Sequence, residues 1–524
     1  MSIASALRHP NANEFMAAFA SDIASLTDMN TFIPYLDNIN LIPKGSLLSS
    51  KAIFNVVYNP DKTFKKFKAR LVARGDQLKN IFDPDTYAGT VSSPTLRLLL
   101  AIAAQDDLDL VSHDIKSAFL YSSLKPQEKI YLKRPNGAGD DVMPAVVQLV
   151  KCIYGLPQAS KYFDDHLSST LLSIGFTRCI ADSEVFVLRR GDEKVILVKH
   201  VDDCLLAATK GSSLLDFVSR SLSQIYTLTT SIEPTNFVGL AITRNRPLKS
   251  LTITQPNYVA TLIDRFSVPT SSTKYPMSED YLTGMSAHLD DILLTSTFQT
   301  LFQEKVGSIL YLASQTRPDL LYATTQLSRR SNKTTARDMA AVDRLLRYIA
   351  STPSLGITFC SHNLPFQLYA CVDASYNCYS DSKSHTGVSL HLSRYSGSFL
   401  SLSKKQSILA DSTTVSEFVG THTAVQKVLW AQNLLIELGY LSAVPTTLFQ
   451  DNKSTIRLIS HKGNSGRTKH IALRYNMIRE AVKNNNITIE YLPSEQMTAD
   501  TLTKPLGSIL FPIHQCRLLN LAPP

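Results

Sequence analysis

The chain has 524 residues, more than one hydrophobic core of ordinary size accommodates, so roughly two to four domains are expected. Its 44% hydrophobic content excludes a disordered chain, and no apolar run approaches the ~20 residues of a membrane span. A formal net charge of +9 admits a polyanionic partner without identifying one.

Seven cysteines stand at 152, 179, 204, 360, 371, 378 and 516 with no C-x-x-C pair, which argues against a zinc knuckle and for free thiols in a reducing compartment. The N-terminus lacks the basic-then-apolar layout of a secretory signal, so a soluble intracellular protein is expected.

In chain order, a helix is expected over 11–27, followed by Pro-, Asn- and Ser-rich loops. Residues 51–75 alternate as a hairpin turning at "NPDKT", and the second arm carries Lys65, Lys66, Lys68, Arg70 and Arg74. That basic arm is either a charge-protected edge strand or a phosphate-facing one. "SPTLRLLLAIAAQDD" (93–107) has helical spacing, with Pro94 near its start. "LDLVSHDIKSAFL" (108–120) then reads as a buried strand ending at an acid. A helix over 159–175 closes at Gly175. "SEVFVLRR" and "KVILVKHV" form a hairpin through "GDE", and "CLLAAT" supplies a further strand.

Residues 252–352 are mainly helical, with Pro318 placed as a first-turn proline, and a domain boundary is expected near 353–365. The last 160 residues follow the order βββαβαβα. Three strands ("FQLYACVD", "TGVSLHL", "GSFLSLSKK") precede a helix over 412–438 that buries Val415, Phe418, Val419, Val425 and Leu429. Strand "TTLFQD", helices 452–460 and 469–484, strand "ITIEYLP" and a helical segment near 495–505 complete a mixed sheet flanked by helices.

The chemistry lies in the positions of the acids. Asp114 ends a buried strand, while Asp202 and Asp203 lie between two apolar runs. Brought together at strand ends, three carboxylates repel one another unless a divalent cation neutralises them. Oxygen ligands of this kind suit Mg²⁺, and two ions about 4 Å apart serve an in-line phosphoryl displacement. An Asp-Asp pair alone is also an ordinary hairpin turn, although apolar flanks without Gly or Asn weaken that reading. Asp373 and Asp451 end strands of the C-terminal unit, Glu417 lies early in its long helix, and Asp500 lies in its last helical segment. Four acids so placed repeat the two-metal arrangement; otherwise they are unrelated surface acids.

"KARLVARG", "DIKSAFL", "YGLPQAS", "HVDD", "FVGL", "VGSILYLASQTRPDLLYA", "SKKQ", "QDNKS", "RTKHI" and "ADTLTKPL" occur in that order. Through these motifs the chain resembles the reverse transcriptase–RNase H region of copia-type (Pseudoviridae) LTR retrotransposon Pol polyproteins, from about residue 8 to 506. The resemblance implies an α+β multidomain fold, a right-hand polymerase with fingers, palm and thumb, followed by an RNase H-like α/β domain with a mixed five-stranded sheet. The expected divisions are 1–245 for fingers and palm, 246–360 for thumb and connection, and 361–524 for the RNase H-like domain.

By that resemblance Asp114, Asp202 and Asp203 are the polymerase metal ligands, and Asp373, Glu417, Asp451 and Asp500 those of the RNase H centre. Phe119 falls at a steric gate beneath the sugar, or is a core residue; Gln158 lines the nucleotide pocket; Lys68 and Arg70 hold the triphosphate. "FVGL" resembles the primer-grip hairpin, and Ser375, Asn452 and Ser454 are candidates for touching 2′-hydroxyls. Arg467, Lys469 and His470 either contact phosphate or start a helix.

Two Mg²⁺ per centre are implied, with Mn²⁺ as a substitute. Implied partners are an RNA template, RNA–DNA hybrid, DNA, deoxynucleotides, a transfer RNA primer, and retroelement integrase and capsid proteins encoded elsewhere, with no membrane. The implied location is the cytoplasm, within a virus-like particle, with the nucleus as a second compartment. No motif resembles the retroelement protease or integrase, so a processed enzyme or a piece of a longer reading frame is expected.

Three positions depart from the family pattern. His200 replaces the tyrosine before "VDD"; Val415 replaces the first Glu of the helix motif; and no His stands in "PSEQMTA" before Asp500. The competing expectations are an inactive or repurposed nucleic-acid-binding relic, and an RNase H beside a degenerate polymerase.

Overall fold

The computed structural model describes residues 2–521 apart from 59–62, 79–84, 270–272, 284–291, 361–365, 441–443 and 461–471. The "NPDKT" turn therefore lies largely outside the described residues, and Arg467, Lys469 and His470 lie wholly outside them.

A six-stranded sheet forms the palm, in the order Leu228–Ile232, Asp109–Ile115, Asp203–Ala208, Glu193–His200, Val185–Arg190 and Thr177–Arg178. Each of its pairings is antiparallel. Its central strands read as nearly continuous apolar runs because both faces are covered. Helices Ala159–Ile174 and Ser213–Ser223 cover one face through Phe163, Leu167, Leu171, Val218 and Leu222. Helix Ser93–Gln105 covers the other and is buried on every side from Thr95 to Ala104.

That all-round burial has a structural cause. The outer side of helix Ser93–Gln105 meets strands Ser250–Thr254, Ile357–Cys360 and Leu400–Leu409. Arg97, a buried residue, donates from Nε to the Phe399 carbonyl at 2.7 Å, and from Nη1 to the carbonyls of Gln315 at 2.8 Å and Ser314. One hydrophobic core consequently runs from the palm into the C-terminal unit.

The fingers are the hairpin Ser50–Tyr58 with Phe64–Ala73, packed on helix Ala12–Asp28. Phe15, Phe19, Ile23 and Leu26, spaced along one helical face, meet Phe54, Ala69 and Leu71. The thumb comprises helices Pro256–Phe266, Ser296–Gln315, Leu321–Ser328 and Ala336–Ser351 around a separate core.

The C-terminal unit has the expected mixed five-stranded sheet, ordered Leu400–Leu409, Lys383–His391, Tyr369–Ser375, Thr446–Gln450 and Ile487–Tyr491. Its first two pairings are antiparallel and its last two parallel. Helix Thr413–Glu437 lies on one face.

Three details differ from the sequence reading. The stretch expected as a boundary contains strand Ile357–Cys360, which pairs with Ser250–Thr254; residues 361–365 lie outside the described region. The segment near 495–505 is two short 3-10 turns, Ser494–Gln496 and Thr498–Leu502. A further helix, Leu510–Leu519, follows them and had no counterpart in the pattern. Pro512 occupies its first turn, where a backbone N–H has no helical partner anyway.

Candidate active sites

The three acids expected as polymerase ligands meet at the hairpin between strands Glu193–His200 and Asp203–Ala208. His200 pairs with Asp203, leaving Val201 and Asp202 as a two-residue turn. Val201 adopts φ +60°, a region that β-branched residues enter at a cost, so the turn stores strain at the site. The turn reading of the two acids is thus correct for Asp202, while Asp203 opens the next strand. Asp203 stands opposite Asp114 in register, and the Ile115 N–H donates to the Asp202 carbonyl at 3.0 Å. These pairings bring all three acids to one end of the palm.

Burial pushes Asp203 up to about 6, with Asp202 and Asp114 adding to it. Asp202 is raised by burial and by Asp114, against the pull of Lys68 and His200. Lys68 on the fingers hairpin is lowered by burial and by its neighbours Arg70 and Lys66, while Asp114 and Asp202 act to raise it. Lys68 is thus a fingers cation whose charge acts on Asp202 and is acted on by Asp114 and Asp202. Arg70 is committed elsewhere: its Nη1 lies 2.7 Å from Asp22 Oδ1, and its guanidinium sits 5.6 Å from the Tyr154 ring centre.

Phe119 lies edge-on to Tyr154 at 4.8 Å between centroids and remains half-buried. It follows Ser117, whose φ of +54° turns the chain out of the palm strand. Tyr154, whose hydroxyl is raised by burial with Asp202 contributing, was not singled out from the sequence, although it stands in "YGLPQAS". Gln158 is 3% exposed and faces inward: its Nε2 donates to Glu128 Oε1 at 3.4 Å, beside the Tyr162 hydroxyl at 2.9 Å from the same oxygen. As described, it braces a closed polar nest; lining a nucleotide pocket requires it to leave Glu128.

His200 is half-buried, bridges Thr90, and is lowered by burial against the pull of Asp202. Beneath it, buried Lys199 bonds Asp164 and lies 2.7 Å from Glu184. The "FVGL" motif forms a hairpin between Asn236–Phe237 and Leu240–Asn245, with positive φ at Val238 and Gly239. A Cβ at Gly239 would come within 3.3 Å of the Tyr311 hydroxyl, so this tip rests against the thumb.

In the C-terminal unit two glycines allow the close approach that builds the second centre. Gly387 lies opposite Asp373, and a Cβ there would meet Thr503 at 2.7 Å and the Ala499 carbonyl at 2.8 Å. The turn bearing Asp500 can therefore rest directly on the sheet. Gly420 in the long helix would bring a Cβ to 3.3 Å from Val372, so the helix lies close enough to present Glu417. Among the described residues, Asp373, Glu417 and Asp451 offer ligand oxygens all within 4.8 Å of one another. The palm acids do not form such a group.

Glu417 is raised well above the usual carboxylate range by burial, then by Asp373 and Asp451. Burial and Asp373 also raise Asp451, whose Oδ2 accepts from the Ser494 hydroxyl at 2.9 Å. Asp500 is pushed up to about 7 by burial and Asp373. Lys504 Nζ lies 3.1 Å from Asp500 Oδ1 and 3.2 Å from Asp373 Oδ2, and Thr503 donates to Asp373. Neither residue was singled out from the sequence, although both stand in "ADTLTKPL". Of the residues considered for 2′-hydroxyl contact, Asn452 caps a helix by accepting from Thr455 N at 3.0 Å, Ser375 ends its strand, and Ser454 is exposed.

Residues 44–279 match the family described as reverse transcriptase (RNA-dependent DNA polymerase). This chain carries a reverse transcriptase domain. Over 475 residues it is 30% identical to the retrovirus-related Pol polyprotein from transposon RE2 of Arabidopsis thaliana, covering 90% of this chain and 32% of that protein. The polyprotein from transposon TNT 1-94 of Nicotiana tabacum is 29% identical over 521 residues, covering 96% and 37%. The chain thus spans about a third of the length of these relatives. Among solved structures, a foamy viral protease-reverse transcriptase in complex with double-stranded DNA is 12% identical at a TM-score of 0.48, covering 92% of this chain and 71% of that one. That overlay is too loose to carry function. No helix among the described residues is long and apolar enough to cross a membrane.

Proposed function

We propose that this copia-type chain is an RNA-directed and DNA-directed DNA polymerase that also degrades the RNA of the resulting hybrid. The supporting observation is the pairing of Asp114 with Asp203, which gathers three acids at a strained hairpin beneath the Lys68 charge. In this reading Lys68 neutralises the triphosphate of the incoming nucleotide, and Phe119, held by Tyr154, closes the space beneath its sugar. Arg70 fixes the fingers hairpin to Asp22 and reaches phosphate only by releasing it.

The donor sets fit divalent cations. Asp373, Glu417 and Asp451 provide a compact all-oxygen group, and Asp114, Asp202 and Asp203 a looser one. Bound Mg²⁺, or Mn²⁺ in its place, supplies activation of the attacking oxygen and charge stabilisation on the leaving one. We assign two ions per centre, RNA template, hybrid, DNA and deoxynucleotides as substrates, and a transfer RNA as primer. We also retain the division at about 245 and 360 as functional units.

Primer extension on poly(rA)/oligo(dT), run beside cleavage of a labelled RNA–DNA hybrid, tests the reading. Asp202→Asn should abolish extension and spare cleavage, and Asp451→Asn should do the reverse. Extension surviving in Asp202→Asn sinks the polymerase assignment, and cleavage surviving in Asp451→Asn sinks the nuclease one. Hybrid binding by a wild-type chain inert in both assays would point to a binding relic.

A further inference from the structure

The four acids of the C-terminal centre are unequally provided for. Asp373, Glu417 and Asp451 cluster, and Lys504 pairs with Asp373 among them, whereas Asp500 lies outside that group and shares Lys504 with Asp373. Lys504 is four residues beyond Asp500, one helical turn in spacing, so its stem lies over the same segment. Its side chain is 36% exposed, so the ammonium has a route to water. The acids it holds are 2% and 9% exposed as side chains, so their charges gain little from solvent. A second cation contacting Asp373 and Asp500 would need the space that the ammonium occupies.

We infer that Lys504 is a resident counter-cation of this centre. It neutralises Asp373 and Asp500 in the metal-free chain and competes there with a second divalent ion, while Glu417 and Asp451, which it does not pair with, remain beside Asp373 for the first. The inference rests on the proposed metal centre and concerns how its occupancy is controlled. Lys504 acts as a positioning residue: it holds Asp373 and Asp500 in place before any ion arrives. On hybrid binding, a phosphate entering beside the centre gives the exposed ammonium an alternative anion, and its withdrawal opens the second position.

The test is a Mn²⁺ titration of the full chain by calorimetry, in an Asp202→Asn background that weakens the polymerase site. With Lys504 intact, one ion should bind tightly at the C-terminal centre and a second weakly. Lys504→Met should tighten the second ion by roughly ten- to a hundredfold, the scale on which outer partners tune metal affinity. The same change should lower the melting temperature of the metal-free chain, and Mn²⁺ should restore more of it than in the parent. Lys504→Arg, which keeps the charge, should titrate like the parent. Superimposable isotherms and equal metal-free melting for Lys504→Met overturn the inference, as does an arginine variant that titrates like the methionine one. Asp451→Asn separates this from the reading beneath it. If it leaves the titration unchanged, the metal centre itself fails; if it removes the tight ion while Lys504→Met changes nothing, only the role of Lys504 fails.

Discussion

Asp203 stands directly across from Asp114 on neighbouring antiparallel strands, with no basic residue between them in the register. The pair sets half-buried Asp203 against the charge of exposed Asp114, and the consequence is a pH dependence of the metal-free chain. Asp203, raised to about 6, and Asp500, raised to about 7, hold their protons in the folded state where the unfolded chain has lost them. Between about pH 4 and those values the folded state binds more protons, so stability falls as pH rises through this window. Buried His113, His385, His391 and His514, which burial lowers, act with the opposite sign below about pH 6.5. The part of the acid is therefore read as a difference: in chelator Asp203→Asn should gain melting temperature over wild type as pH rises from 5 to 7.5, and saturating Mg²⁺ should remove the gain. A variant whose melting temperature runs parallel to wild type over this range would contradict the assignment.

The two finger cations should separate in kinetics. Lys68→Ala should raise the KM for deoxynucleotide, leaving hybrid cleavage and the denaturation midpoint close to wild type. Arg70→Ala should lower the midpoint as well, because it leaves Asp22 with only the Leu71 N–H at 2.8 Å. Loss of a half-buried partner of this kind costs about 1–3 kcal/mol. Equal stability of the two variants would show that the Asp22 pair does not anchor the hairpin.

Phe119→Val should weaken discrimination against ribonucleotides. Removing a ring that closes the space beneath the sugar admits a 2′-hydroxyl, and roughly tenfold or greater loss of selectivity is expected. Parallel single-nucleotide incorporation with dNTP and rNTP reads the ratio. A variant that loses stability while keeping its selectivity would make Phe119 a packing residue of Tyr154.

Arg97→Met should destabilise the whole molecule. The arginine satisfies three carbonyls from two stretches of chain, and its loss leaves Phe399, Ser314 and Gln315 oxygens without this donor in a closed environment. A cost of about 3 kcal/mol or more is expected. Denaturation followed by two probes, one in the palm and one at Trp430, should shift together. Trp430 is a suitable reporter because its Nε1 donates to the Ala181 carbonyl at 3.1 Å, across the same interface.

Much of this arrangement was legible in the sequence because its signals are local. Alternation placed the fingers hairpin, apolar runs placed the central palm strands, and acids at strand ends marked both centres. Motif order supplied the polymerase family. What escaped depends on partners far along the chain. Strand Ile357–Cys360 is four residues long and is defined by pairing with residues about a hundred positions earlier. Lys504 has its significance only beside Asp373, 131 positions away, and Gln158 turns inward only because Glu128 is there. The burial of helix Ser93–Gln105 on all sides was visible as an apolar sequence, but its second covering was not, since that covering comes from the other end of the chain.

The shared core has a consequence for a duplex lying across both centres. Glu437 accepts from the Ile180 N–H at 3.0 Å, and Arg189 and Lys194 donate to the carbonyls of Glu437 and Leu438, so the interface is fixed by backbone as well as by packing. The two proposed centres, joined this way, form a caliper of fixed opening. The length of RNA left between the growing DNA end and the cut would then be a property of the fold, constant from one template to another, and a footprint ladder with one dominant spacing would display it.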